Sequence, residues 1–232
     1  MLEFERAEWA RGRRRVGGVD EAGRGPLAGP VVAACVVFDP AFAEREQDGA
    51  LRGLTDSKRL RPAERERFHA LLTSCEGVDW ALGTATREEI DHLNILRATW
   101  LAMRRAVEAL PEPPDALLVD GHPVPKLPAP ALAIVGGDGR SLSIAAASVI
   151  AKVSRDRRMA ELDRTWPGYG FARHKGYGTR AHLAALAEFG PTSEHRRSFR
   201  PVAERCPATE TTSAPASDGV RTGRPNEKSP FL

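Results

Sequence analysis

Four acidic residues of this sequence lie where buried strands are predicted to end, and their side chains are the best suited to chemistry. Each one closes or closely follows an apolar run: Asp20, Glu21, Asp120 and Asp138. Ligands of open α/β sheets collect outside strand ends. Because crowded carboxylates repel one another unless a cation holds them, and because all-oxygen ligand sets favour Mg²⁺ or Mn²⁺ over zinc, this pattern predicts a divalent-metal site.

Such a site would suit phosphodiester chemistry. Two divalent ions about 3.5–4 Å apart can clamp the attacking and leaving oxygens of a phosphodiester displacement. Asp138 lies in the segment GGDGRS and equally suits a turn former, so that alternative stays open at this point. The alternative of a cap or turn role is weaker for Asp20 and Glu21, which follow a buried strand. The acids alone therefore predict a metal and a phosphate, without naming the substrate.

A glycine- and proline-rich turn, residues 21–30, follows the first two acids directly. Its glycines do not have the G-x-G-x-x-G spacing of a dinucleotide-binding loop, and carboxylates before the loop would repel a pyrophosphate. Gly23 and Gly25 instead allow the backbone to approach a ligand closely. Arg24 between them could bind a phosphate through its guanidinium fork. A tight connection between strands is the simpler alternative.

Alternating strands and helices must position these residues. The sequence predicts strands at about residues 16–20, 31–38, 78–85, 116–119 and 131–135. It predicts helices at about 62–72, 87–110 and 179–189, with another capped by Ser141 or Ser143. Strands that come first as a meander and then alternate with helices indicate an α/β domain with a mixed sheet.

The composition is that of an ordinary globular protein of 232 residues, with a formal net charge of +3. Residues 1–13 form a charged lead-in without the apolar core of a signal peptide, and the apolar runs are too short to span a bilayer. Three distant cysteines suggest neither a disulfide framework nor a zinc site, so a cytoplasmic setting is expected. Residues 205–232 lack apolar periodicity and are predicted to be a disordered tail.

Several longer motifs occur in one order along residues 14–204. They are VGGVDEAGRGPLAGPVVAA, TDSK, LVDG, SIAAASVIAKV, YGFARHKGYGT, GPT and HRRSF. In these segments the chain resembles the type 2 ribonucleases H, also called ribonuclease HII, of the bacterial type. The resemblance implies a ribonuclease H-like α/β fold, with a mixed five-stranded sheet flanked by helices and a small helical C-terminal portion. It also implies a catalytic domain over residues 14–204.

The resemblance further implies an endonuclease that hydrolyses the RNA strand of RNA–DNA hybrids. Members of the family also cut 5′ to ribonucleotides embedded in duplex DNA, by a two-metal-ion reaction that leaves 3′-hydroxyl and 5′-phosphate ends. Carried over residue by residue, the catalytic and Mn²⁺- or Mg²⁺-binding acids are Asp20, Glu21, Asp120 and Asp138. The ribose is read by Gly23, Arg24 and Gly25. The partner is therefore a hybrid or a ribonucleotide-containing duplex, and the chain is expected to be a monomer.

Other residues of the motifs are candidates for substrate contact. Tyr177 matches the family tyrosine that packs on the sugar of the following deoxynucleotide. By charge and loop placement, Lys58, Arg173 and Lys175 are predicted phosphate contacts, with solvated surface cations as the alternative. His174 is left as a structural or phosphate-adjacent residue, since the resemblance assigns it no catalytic role.

Three competing interpretations stay open at the level of sequence. The first is a nuclease or recombinase of the same broad fold that cuts DNA, against which the Gly23–Gly25 turn and Tyr177 argue. The second is a catalytically silent nucleic-acid-binding module, although all four acidic positions still hold acids. The third is a Ca²⁺-binding structural domain, but the sequence has no D-x-[DN]-x-[DN]-G loop.

Overall fold

A five-stranded mixed sheet organises residues 1–206, the part of the chain that this computed structural model describes. Its strands are β1 (Val16–Ala22), β2 (Val31–Phe38), β3 (Val78–Ala85), β4 (Ala116–Asp120) and β5 (Ala131–Ile134). Their order across the sheet is β3-β2-β1-β4-β5. The pairs β1–β2 and β2–β3 are antiparallel, whereas β1–β4 and β4–β5 are parallel. The predicted mixed α/β architecture is confirmed.

Helices cover both faces of this sheet. They are α1 (Glu3–Trp9), α2 (Pro40–Glu46), α3 (Pro62–Ser74), α4 (Arg87–Leu93), α5 (Ile95–Glu108), α6 (Leu142–Thr165), α7 (Phe171–His174), α8 (Arg180–Phe189) and α9 (Arg200–Ala203). Helix α5 packs on one face, against β2 and β3, and α6 packs on the other, against β1 and β2. Among the helices of residues 1–206, none is long and apolar enough to cross a membrane.

The contact between α6 and β1 is unusually close. A Cβ added at Gly18 would overlap the backbone of Ser143 and Ile144 in the first turn of α6. Only glycine therefore lets the helix backbone lie directly on the strand at this position. The close approach brings the start of α6 near the carboxyl end of β1, where Asp20 lies.

The predicted long helix and the end of the first strand differ from the structure. The predicted long helix over residues 87–110 is divided into α4 and α5 at Asn94, whose φ of +70° is not helical. The Asn94 side chain then accepts hydrogen bonds from Leu96 N and Arg97 N and caps α5. Strand β1 continues past Asp20, because Glu21 pairs with Ala33.

The N-terminal segment contains α1, a helix that the sequence analysis did not anticipate. Its Leu2 and Glu5 are buried. One carboxyl oxygen of Glu5 accepts hydrogen bonds from the Ser141 hydroxyl at 2.6 Å, from Ser143 N at 2.9 Å and from the Ser143 hydroxyl at 2.7 Å. Ser141 itself caps α6. The lead-in is thus attached to the start of α6.

The predicted disordered tail lies almost wholly outside the described residues. Of its span, only Arg205 and Cys206 are described, and Cys206 packs beside Leu186 and Val202. The predicted domain boundaries at residues 14 and 204 stay predictions.

The attachment of α1 can be tested by replacing Glu5. We expect Glu5→Ala to lower the free energy of unfolding by about 2–3 kcal/mol, because two buried hydroxyls and one backbone N–H lose their acceptor. Chemical denaturation measures this loss. Glu3→Ala, an exposed position on the same helix, is the control. Equal stability of the two variants would contradict a structural role for the buried carboxyl group.

Candidate active site

Asp20 and Asp120 lie side by side at one edge of the sheet. The parallel register of β1 and β4 pairs Val19 with Val119, so the next residue of each strand is an aspartate. Both strands continue in the same direction, and alternation places the two side chains on the face that α6 covers. Asp20 is only 5% exposed, and the Ser148 hydroxyl of α6 is near enough to lower its pKa against the larger effect of burial.

Asp138 is brought to this pair by a short turn after β5. The residues Gly137–Gly139 form a single 3₁₀ turn. Asp120 Oδ1 accepts hydrogen bonds from Gly137 N at 2.7 Å and from Asp138 N at 3.4 Å, so one predicted ligand holds the turn that carries another. Carboxyl oxygens of Asp20, Asp120 and Asp138 all lie within 4.8 Å of one another. The turn role and the ligand role proposed for Asp138 are therefore compatible.

The crowding of these acids has electrostatic consequences. Burial raises the pKa of Asp20 well above its ordinary value, and the charges of Glu21 and Asp120 raise it further. Burial, followed by the charge of Asp120, also raises the pKa of Asp138. Excess negative charge on hard oxygen donors fits a divalent cation such as Mg²⁺ or Mn²⁺.

Lys58 provides part of the counter-charge. Burial disfavours its charged form, but nearby carboxylates outweigh burial and raise its pKa: those of Asp56, Asp20, Asp138 and Asp120. The lysine predicted as a phosphate contact therefore faces the acidic group. The charge of Asp56, which the sequence analysis did not select as a site residue, helps to raise the pKa of Asp138.

Glu21 stands apart from the other three acids. Successive residues of a strand point to opposite faces, so its side chain leaves β1 away from that of Asp20. A guanidinium nitrogen of Arg24 lies 3.3 Å from its carboxyl oxygen. Burial raises the pKa of Glu21, while the Arg24 charge lowers it and the Asp120 charge raises it. Glu21 thus interacts with the charge of Asp120, although its side chain leaves β1 on the face opposite that of Asp20.

Glu21 borders a cavity of about 530 Å³. Six predicted site residues line the cavity: Glu21, Gly23, Arg24, Gly25, Lys58 and Tyr177. Tyr177 is 45% exposed, and its Cε1 atom lies 3.5 Å from the place a Cβ would take on Gly25. The predicted phosphate contacts Arg173 and Lys175 are not among its lining residues. The structure thus places the glycine turn, one aromatic ring and Glu21 around one opening. Asp20, Asp120 and Asp138 do not line it, but Lys58, which does, is close enough to all three for their charges to raise its pKa.

Two buried arginines fix the shape of the glycine turn. Arg196 donates to the carbonyls of Gly23, Arg24 and Gly29 at 2.6, 2.9 and 2.9 Å. Arg155 donates to the carbonyls of Pro30, Lys175 and Ala28 at 2.9, 3.0 and 3.2 Å. Burial lowers the pKa of Arg196 to about 9 and that of Arg155 to about 10. Both groups stay protonated at neutral pH and hold the turn through its carbonyl oxygens.

Proteins that resemble this chain in sequence and in fold are ribonucleases H. A sequence model of the family described as Ribonuclease HII matches residues 17–202. A ribonuclease HII of Geobacillus kaustophilus is 52% identical over 210 residues, covering 90% of this chain and 77% of the relative. The chain belongs to the ribonuclease HII family.

Two further comparisons agree with this assignment. A ribonuclease HII of Rhodospirillum rubrum is 56% identical over 190 residues, covering 82% of this chain and 86% of the relative. The crystal structure of the ribonuclease H2 from Pyrococcus horikoshii OT3 matches with a TM-score of 0.67 at 29% identity, over 82% of this chain and 96% of that one. As a ribonuclease HII family member, the chain is a metal-dependent endoribonuclease that acts on RNA–DNA hybrids.

Several residues around the site were not predicted from the sequence. Arg155 lies in a basic run of α6, and Arg196 stands next to a second arginine, so neither could be told from a surface cation. Ser57 and Ser148 join the loop of Lys58 to α6 by a hydroxyl–hydroxyl hydrogen bond of 2.9 Å. Membership of the TDSK and SIAAASVIAKV motifs was the available signal for this pair. No periodicity distinguishes their role from ordinary core packing.

The repulsion among the acids predicts a metal-dependent stability. The folded-state pKa of Asp20 is above its ordinary value, so stability falls as the pH rises through that raised pKa. At pH values above that raised pKa the metal-free protein carries the full penalty. We therefore expect Asp20→Asn to raise Tm in EDTA, by about 2–4 °C for each kcal/mol of repulsion that is relieved.

Added Mg²⁺ or Mn²⁺ should raise Tm of the wild-type protein more than Tm of the Asp20→Asn variant. Differential scanning calorimetry at pH 7 with and without EDTA measures both effects. Glu188→Gln, an exposed carboxyl change on α8, serves as the control and should leave Tm unchanged. A lower Tm for Asp20→Asn in EDTA would show that hydrogen bonding, and not repulsion, dominates at this position.

Proposed function

We propose that this protein incises duplex DNA 5′ to embedded ribonucleotides as well as cutting RNA–DNA hybrids. The products would carry 3′-hydroxyl and 5′-phosphate ends. The observation that supports this proposal is that Glu21 and Lys58 line the same cavity as Gly23, Gly25 and Tyr177, while Lys58 also lies within the influence of the three clustered aspartates. Phosphodiester chemistry and recognition of a single sugar can therefore occur at one opening.

The proposed catalytic acids are Asp20, Asp120, Asp138 and Glu21. The first three offer oxygens within 4.8 Å of one another, which suits the binding of a divalent ion. Glu21 approaches from the other face of β1 and would complete the oxygen set for a second one. When bound, two divalent ions supply water activation and neutralise charge that develops on the attacked phosphate. Both Mg²⁺ and Mn²⁺ accept such oxygen ligands.

The backbone of the glycine turn is the proposed reader of the ribose. Arg196 occupies the carbonyls of Gly23 and Arg24, which orients these peptide groups. Among residues 1–206, the N–H groups of Arg24 and Gly25 have no backbone acceptor. Free N–H groups beside a cavity can donate to the 2′-hydroxyl, the group that separates RNA from DNA.

Tyr177 is the proposed contact on the deoxyribose side of the junction. Its ring stands beside Gly25 at the opening, and nearly half of it is exposed. A flat ring that packs against a sugar leaves little room for a 2′-hydroxyl on that sugar. One nucleotide would then be selected for its hydroxyl and the next one for lacking it.

Lys58 is the proposed phosphate contact nearest the acids. Its ammonium group is drawn toward them by their charges, and it lines the same cavity. Arg173 is exposed on α7, and Lys175 borders a separate groove beside Asp156. Contacts from these two residues would fall on phosphates farther along the duplex.

The reaction can be tested with a DNA duplex that carries one ribonucleotide. We expect a single cut on its 5′ side with Mg²⁺ or Mn²⁺, and no cut with EDTA. Asp20→Asn and Asp120→Asn should each lower the rate by at least about 10³-fold, since each removes a charged oxygen ligand. An end-labelled substrate on a denaturing gel shows the position of the cut.

An all-DNA duplex of the same sequence is the substrate control, and Glu188→Gln is the matched control for the carboxyl-to-amide change. Cleavage that survives EDTA, or a cut on the 3′ side of the ribonucleotide, would refute the proposed reaction. Cleavage of the all-DNA duplex would refute the proposed reading of the 2′-hydroxyl.

Replacing Tyr177 separates its ring from its hydroxyl. We expect Tyr177→Ala to lower kcat/KM for the single-ribonucleotide duplex by roughly tenfold or more, because a stacking contact of about 1–3 kcal/mol is removed. Tyr177→Phe keeps the ring and should stay within about threefold of the wild type. Steady-state kinetics on that duplex measures both values. A Phe variant as weak as the Ala variant would assign the role to the hydroxyl group instead of the ring.

A further inference from the structure

Three buried histidines form a continuous cluster beneath Tyr177. They are His174 at the end of α7, His182 in α8 and His195 in the loop before α9. The rings of His174 and His182 stack with their centroids 4.4 Å apart. The Nε2 atoms of His182 and His195 are 3.0 Å apart, which is a hydrogen-bond distance.

The backbone around the cluster determines where the ring protons lie. Thr192 N donates to His195 Nδ1 at 2.9 Å, so that nitrogen is an acceptor without a proton. The proton of His195 is therefore on Nε2 and is donated to His182 Nε2. His182 must then carry its own proton on Nδ1, which lies 3.0 Å from the carbonyl oxygen of Tyr177.

The same reasoning applies to the third ring. Gly176 N donates to His174 Nδ1 at 3.2 Å, so the proton of His174 is on Nε2 and is donated to the carbonyl of Tyr169 at 2.7 Å. All six ring nitrogens thus have a partner, and every ring is neutral. No lone pair is left for a metal ion.

The surroundings of the cluster favour this neutral state. Burial, followed by the proximity of His182 and His174, which would repel a second positive charge, lowers the pKa of His195 to about 4. Burial also lowers the pKa of His182. The rings of Tyr169 and Phe171 pack against His195. The hydrogen-bond directions derived above are therefore maintained at neutral pH.

We propose that His182 is a positioning residue that fixes Tyr177 at the mouth of the cavity, with His195 setting the tautomer that this task requires. The hydrogen-bonded chain begins at Thr192 N–H, passes through both imidazoles and ends on the Tyr177 carbonyl. His174 supports the arrangement from below, because its carbonyl accepts from Tyr177 N at 2.9 Å and its ring stacks on His182. The effect on cleavage rests on the proposed role of Tyr177.

The tautomers can be measured without any activity assay. In ¹⁵N-histidine-labelled full-length protein at pH 7, NMR should show the proton on Nδ1 of His182 and on Nε2 of both His195 and His174. A proton on Nε2 of His182, or a charged His182 or His195, would overturn the proposal. In His182→Leu the backbone amide signals of Tyr177 and its neighbours should shift, and unchanged signals would also overturn it.

Two substitutions at His182 then separate positioning from packing. His182→Asn retains an N–H donor where Nδ1 lies, whereas His182→Leu has none. For the duplex with one ribonucleotide we expect His182→Leu to lower kcat/KM about tenfold, and His182→Asn to stay within about threefold of the wild type. Equal losses in two folded variants would contradict the role of the Nδ1 proton. If His182→Leu does not fold, the wild-type tautomers and His182→Asn still decide the proposal.

A double-mutant cycle shows whether the effect passes through Tyr177. The Tyr177→Ala/His182→Leu variant should be no weaker than Tyr177→Ala alone, because the positioned ring is already absent. Multiplied losses would show that His182 acts elsewhere and would overturn the proposal. Unchanged cleavage by Tyr177→Ala would instead refute the proposed contact of Tyr177 with substrate. The tautomer measurement would still test the hydrogen-bonded chain of histidines, because it does not depend on cleavage.

Discussion

The parallel pairing of β1 with β4 is the constraint on which the site depends. It holds Asp20 and Asp120 next to each other although their negative charges repel. With oxygens within 4.8 Å, two ionised carboxylates repel by about 3–4 kcal/mol at an effective dielectric constant near 20. Backbone hydrogen bonds along the sheet and the apolar packing on both faces hold the strands in register against that repulsion. The divalent cation of the proposed site would therefore meet oxygens that are already assembled.

Other parts of the fold serve the same arrangement. Gly18 lets α6 lie on β1, so that Ser148 of the helix lies near enough to Asp20 to influence its pKa. On the other side, Asp120 accepts hydrogen bonds from the turn that carries Asp138. The glycine turn is held by buried positive charge instead. Gly23 has a φ of +96°, and a Cβ there would overlap the guanidinium of Arg155, so only glycine combines this conformation with the arginine contact.

Sequence patterns predicted the sheet and the three clustered aspartates because both follow from short-range rules. Apolar runs mark buried strands, and an acid at the end of such a run reaches the sheet edge. The division between α4 and α5 was not predicted, because one Asn in a positive-φ conformation leaves little trace in an apolar pattern. The buried role of Arg155 and Arg196 was not predicted either. A guanidinium that binds only backbone carbonyls has no partner residue that a sequence could reveal.

The N-terminal segment shows how a charged sequence can hide a structural role. Its acidic and basic residues suggested a solvated lead-in, yet Glu5 is buried where α6 begins, and Leu142 N donates to the Met1 carbonyl. Asp138 lies only three residues before Ser141, the cap of α6 to which Glu5 is bonded. The family match begins at residue 17, after this segment. The helix α1 therefore lies outside the matched region but supports the start of α6, and through it the turn that carries one of the three clustered acids.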